Sequence, residues 1–167
     1  MNPFLRILEA LNASRVRYVV VRGFAALMHG HNRFTADLDI VVDPAAEHAR
    51  KAIEALVAIG FHPRLPVDAM QFADPAIRAH WAREKNMMVF SMLDPNSPAP
   101  LVELLDEPPK SIDKWMHNPV ILMAGATSVP VCSIGDLIEM KVRSGRPQDQ
   151  LDVENLRLIQ KNRKRGP

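Results

Sequence analysis

The chain has 167 residues, 47% of them hydrophobic, and a formal net charge of +2. That length suits a single domain with a small helical addition over about residues 133–164, and the apolar content rules out a disordered chain. A near-neutral balance gives no global basic field for nucleic acid. The one cysteine, Cys132, forbids an internal disulfide and suits a reducing cytoplasm; it reads as a small buried hydrophobe.

In chain order, "NPFLRILEALNAS" places Phe4, Leu5, Leu8 and Leu11 at helical spacing. Its Arg6 interrupts what would otherwise be a signal-peptide core, and no apolar run reaches the ~18 residues of a membrane span. "VRYVVV" is a continuous β-branched strand ending near Val21. "GFAALMHG" is a short helix opened by Gly23 and closed by Gly30, followed by a second strand, "DLDIVVD", stopped by Pro44. "PAAEHARKAIEALVAIG" is a helix with Ile53, Leu56, Val57 and Ile59 inward and Gly60 past its end. "AMQFADPAIRAHWAREK" reads as helical pieces broken at Pro75. "NMMVFSML" and "PLVELLD" are strands of an antiparallel hairpin joined by "DPNSPAP". "NPVILMAGATSVPVCS" is another strand pair, turning at Ala124 and Gly125. Ser133 caps the helix "IGDLIEMKVRSG" with Asp136 in a capping-box position, and "QDQLDVENLRLIQKNRKR" is a final helix with Leu151, Leu156 and Ile159 toward the core. Most of the fourteen prolines fall between about residues 63 and 130, which predicts a loop-rich middle. The basic cluster Lys161, Arg163, Lys164 and Arg165 reads as a solvated tail. His29 and His31 read as turn or cleft-edge residues, Trp81 and Trp115 as packing residues, and the nine methionines as gap fillers, some at an oligomer contact. The order of strands and helices predicts a layered α/β fold.

Asp37 and Asp39 share one face of their strand, roughly 7 Å apart, while Leu38 and Ile40 share the other. Desolvated together they would repel, and one would take a proton. Mg²⁺ removes that conflict and accepts phosphates as further ligands; a third carboxylate would let the site hold two metals and clamp a phosphoryl transfer. A strand with one wet face would carry both acids at no cost. Glu103 is the other acid inside an apolar strand, and pairing of the two strands would set it beside the Asp pair. Lys141 lies among Leu137, Ile138 and Met140, from where it can reach inward to a phosphate or snorkel to solvent. Arg146 and Asp149 read as a structural ion pair at a helix junction.

The run "VVVRGFAALMHGHNRFTADLDIVVD" resembles the nucleotidyltransferases of the DNA polymerase β-like superfamily, in particular small bacterial members related to the AbiEii-type abortive-infection toxins. Gly23, Gly30, Arg33, Thr35, Asp37 and Asp39 follow that family's order, and "SIGDLIEMKVRSGRPQDQLDVENL" resembles its helical segment with a Lys and an Arg-x-x-Asp-x-x-Asp. The family's glycine pair is broken by Arg22. The resemblance implies an α+β fold, with a mixed sheet flanked by helices. It implies Mg²⁺-dependent transfer of a nucleoside monophosphate from an NTP to an RNA, protein or small-molecule acceptor. Asp37, Asp39 and Glu103 would then hold two metals, Gly23 amides the β- and γ-phosphates, and Thr35, Arg33 and Lys141 would complete the nucleotide site. The alternative is a catalytically inactive member serving as a binding or regulatory module, with an antitoxin-like partner.

Overall fold

The protein, seen here as a computed structural model, is described over residues 3–32, 34–107 and 109–165. Helix α1 (Pro3–Ala13) leads into strand β1 (Tyr18–Val20), helix α2 (Arg22–Met28), strand β2 (Asp37–Val42) and helix α3 (Ala46–Ala58). Strand β3 (His62–Pro63), a 3₁₀ turn (Ala69–Ala73) and helix α4 (Pro75–Lys85) precede the hairpin of β4 (Val89–Asp94) and β5 (Ser97–Leu105). Helix α5 (Pro109–His117), the hairpin of β6 (Val120–Ala124) and β7 (Thr127–Val131), and helices α6 (Ile134–Ser144) and α7 (Pro147–Arg165) complete the chain.

The strands form one mixed sheet in the order β3-β4-β5-β2-β1-β7-β6, so the architecture is α/β of the α+β kind. β2 runs parallel to β5 and antiparallel to β1, and β1 runs parallel to β7. β1 and β2 therefore lie inside the sheet, and their apolar side chains are covered: Val19, Val20, Leu38, Ile40 and Val41 are fully buried. Helices α1 and α3 pack together, α1 against β7 and β5 and α3 against β2. Ile7, Leu8, Leu11, Ile53 and Leu56 supply their buried stripe. Trp81 stacks on Phe90 at 5.5 Å between centroids and Trp115 is buried, both as packing residues.

Several expectations need correction. The middle of the chain is not loop-rich, because its prolines occupy tolerated places. Pro75 is in the first turn of α4, where its missing N–H is no loss, and Pro109 begins α5. Pro98 and Pro100 lie within β5, which starts at Ser97, so the hairpin turn is only Pro95 and Asn96. Val57 is 41% exposed, and Leu151 is 64% exposed because α7 packs through Val153 and Leu156 instead. The C-terminal basic cluster is helical to Arg165, and Arg163 docks on the body of the fold.

His29 lies in the turn after α2, as expected, but it and His31 are buried rather than at a cleft edge. Arg163 donates to His29 Nδ1 and to the His29 carbonyl, each at 3.1 Å. A guanidinium only donates, so Nδ1 is the acceptor and the proton sits on Nε2, which donates to the Cys132 carbonyl at 2.8 Å. His31 Nε2 bonds to Asp152 Oδ1 at 2.9 Å. Burial, opposed by the Cys132 bond and aided by Arg163, lowers the His29 pKa from 6.5. The unfolded chain thus binds the His29 proton more readily, and this contribution to stability falls as pH drops below 6.5. The loss of Tm between about pH 7 and 5 should therefore be smaller in His29→Gln than in the wild type, measured by calorimetry.

Candidate active site

The carboxylate face of the sheet opens onto a cleft of about 530 Å³. β2 and β5 form its floor, α2 and the loop before β2 one side, and α6 with the start of α7 the other; Arg22, Gly23, Thr35, Asp39, Glu103 and Lys141 are among its lining residues. The parallel register sets Asp39 beside Glu103, and Asp37 beside Leu101 one pleat earlier. Equal register puts Asp39 and Glu103 on the same face, close enough for the Glu103 carboxyl to bear on that of Asp39. Asp37 is half-buried on the same face but does not line the cleft.

Asp39 is 7% exposed on an interior strand, so a wet edge does not account for it. Its pKa is pushed up to about 7, first by burial and then by the Glu103 bond and the charges of Glu103 and Asp37, while Arg22 pulls it down. The strand pattern has created the conflict expected of it: two carboxyls meet in a place too dry for both to ionise freely. Part of the relief comes from Arg22. Its guanidinium lies 3.4 Å from Asp39 and 3.7 Å from Glu107, an acid of the cleft that lies just beyond β5.

Gly23 is needed for a packing reason. A Cβ there would stand 2.8 Å from Thr35 Oγ1, and Thr35 in turn donates to the Asp37 carbonyl at 3.1 Å. The pair clamps the loop before β2 against the start of α2. Arg33 lies outside the described residues. Phe34, beside Thr35, lines the cleft while 89% exposed, which is rare for a large aromatic and was not apparent from the sequence.

The opposite wall is basic. Lys141 reaches it from α6, but its ammonium is bound to Asp149 at 3.2 Å and to Asp152 at 2.5 Å. Its charge is thus largely matched, and Asp149 bonds to Lys141 rather than forming the expected pair with Arg146. Arg143 and Arg146 are exposed on the same wall with no carboxylate in ion-pair contact among the described residues. The Ser133–Asp136 capping box forms as the sequence indicates, at 3.1 Å from the Asp136 amide to Ser133 Oγ, and starts α6, which carries part of this wall.

Among the described residues, no three acidic, histidine or cysteine side chains converge as a ready-made metal shell. The donor chemistry nevertheless fits a hard divalent cation: two neighbouring carboxyls, one with its pKa raised by burial, beside a third acid on the same strand face. No family model and no curated protein matches the chain. No helix among the described residues is long and apolar enough to cross a membrane.

A raised carboxyl pKa favours the folded state at low pH, and that contribution is lost as pH rises from 3.8 through about 7. Asp39→Asn removes the ionisation, so it should raise Tm at about pH 8 by roughly 2–4 °C for each kcal/mol relieved. The gain should shrink as pH falls below about 7, as followed by thermal melts across that range.

Proposed function

We propose that the protein is a Mg²⁺-dependent nucleotidyltransferase acting in the cytoplasm, with the cleft as its nucleotide site. The reading rests on one observation: Asp39 and Glu103 are brought together from separate strands at the floor of a cleft whose far wall carries Arg143 and Arg146. Acids alone would suit a cation, and arginines alone an anion. Opposed across about 530 Å³, they suit a cation and a polyphosphate together. The resemblance around Asp37 and Asp39 supports the same assignment.

Asp39 and Glu103, joined by Asp37, are the residues that would hold the cations. Bound there, divalent cations supply charge neutralisation at the α-phosphate and acidify the acceptor hydroxyl. Arg143 and Arg146 bind the β- and γ-phosphates, and their planar forks suit those oxygens. Phe34 offers its ring to the base at the cleft mouth. The acceptor oxygen forms its bond to the α-phosphorus as the bond from that phosphorus to the α,β-bridging oxygen breaks. The electron pair leaves on pyrophosphate, and the acceptor's proton passes to Glu103 and then to water. An RNA, a protein or a small molecule can offer such a hydroxyl. Lys141 acts here as a positioning residue, since its pairing with Asp149 and Asp152 ties α6 to α7 and holds the basic wall in place.

The Arg22–Asp39 ion pair favours a second reading, a catalytically inactive member that binds an antitoxin-like partner through the same face.

Incubation with labelled NTPs, Mg²⁺ and total cellular RNA and protein separates the two. An active enzyme labels an acceptor, and the Asp37→Ala/Asp39→Ala protein loses that label by a factor of about 10² or more, as expected when transition-state charge loses its stabilisation. No labelled acceptor from well-folded wild type would leave the inactive reading standing. Phe34→Ala should weaken nucleotide binding about fivefold or more, since a stacked base is worth about 1–3 kcal/mol, with the melting temperature of the free protein unchanged; calorimetric titration with each NTP reads this.

A further inference from the structure

Arg22 is the residue of the cleft that neither the fold nor the transfer reaction requires. It opens α2 at φ +56°, a left-handed backbone that glycine adopts freely and an L side chain does not. The position suits glycine on conformational grounds, yet it holds a side chain long enough to cross the cleft floor. Nη1 lies 3.4 Å from Asp39 Oδ1 and Nη2 lies 3.7 Å from Glu107 Oε1. The guanidinium is permanently charged and has only donors to offer, so in this position it does what a cation does: it offsets the crowded carboxylates. The Asp39 side chain is only 10% exposed and leaves little room for a second positive group on the same oxygen.

On the basis of the nucleotidyltransferase reading above, we propose that Arg22 is a resident counter-cation that occupies the Asp39 carboxylate in place of the divalent ion, so that the ion binds only by displacing it. The displaced guanidinium remains in the cleft, because its backbone is anchored between β1 and α2 and lines the same cavity. There its natural partner is a phosphate, which it can engage with two parallel N–H groups. A triphosphate thus draws Arg22 away from Asp39 while the cation takes its place. Cation and nucleotide load together, and the site resists metal when no nucleotide is present. Glu107 has a role in this arrangement as the second carboxylate that holds the guanidinium in the resting position.

The test is Mn²⁺ affinity in the absence of nucleotide, measured by the electron paramagnetic resonance of the free ion. Four full-length proteins are compared: wild type, Arg22→Gln, Arg22→Gly and Asp39→Asn. Arg22→Gly keeps the experiment decisive if the glutamine variant folds poorly, since glycine fits the local backbone. Removal of the competing charge should tighten Mn²⁺ binding about fivefold or more in both Arg22 variants, the lower end of ordinary coupling between two sites. Asp39→Asn should abolish it. Equal or weaker binding in the Arg22 variants, with Asp39-dependent binding in the wild type, overturns the counter-cation role and leaves the nucleotidyltransferase reading intact. No Mn²⁺ binding by wild type or by either Arg22 variant, each well folded, overturns both. Binding in the Arg22 variants alone supports the proposal in its strongest form, in which the resting cleft excludes metal.

Discussion

The structure turns on a meeting of two acids. Asp39 on β2 and Glu103 on β5 are direct neighbours in a parallel register, in the interior of a seven-stranded sheet. A sheet buries side chains cheaply when they are apolar, as Leu38 and Val102 are on the opposite face at the neighbouring rung. It does not bury carboxylates cheaply, and the upward shift at Asp39 records that cost. Everything placed around this pair bears on its charge: Arg22 from one side, Asp37 from the same strand, and a water-accessible cleft above.

Polar contacts tie the two C-terminal helices to the segment that borders the cleft. His29 bridges Cys132 and Arg163, and His31 reaches Asp152, which Lys141 also binds. These contacts join the α2–β2 segment to α6 and α7 beside the buried Leu137 and Leu156. The cleft has a floor rich in acids, offset in part by Arg22, and a wall on which Arg143 and Arg146 are exposed, with Phe34 also lining it. Such a separation of charge across an open cavity focuses the field on a ligand carrying both signs, which a metal–polyphosphate does.

Much of the scaffold is legible in the sequence. The alternation in "DLDIVVD" told which side of β2 was apolar, and the Ser133–Asp136 spacing told where α6 began. Gly30 and Gly145 both carry positive φ at helix ends, as their sequence contexts suggest. The errors share a cause. Val57 and Leu151 fit the helical period but fall on the solvent side, because periodicity locates a stripe without locating the neighbour that covers it. β3 has two residues, too few to leave a pattern. Arg163 looked solvated because a charged residue near a chain end gives no sign of a buried acceptor such as the His29 carbonyl.

The sequence by itself determined the order of elements, the two-faced character of β2 and the presence of Asp37, Asp39, Glu103 and a lysine-bearing helix, since period, capping and turn chemistry are local. Tertiary structure decided which of these meet. Adjacent pairing of β2 and β5 brought Asp39 to Glu103 across 64 residues of chain, placed Asp37 outside the cleft lining, and engaged Lys141 with Asp149 and Asp152. It also turned Arg22, a departure from pattern in the linear chain, into the cation nearest the acids. Strand order and helix docking depend on the balance of burial over the whole core, and an electrostatic contact between distant residues is settled only after that balance has placed them.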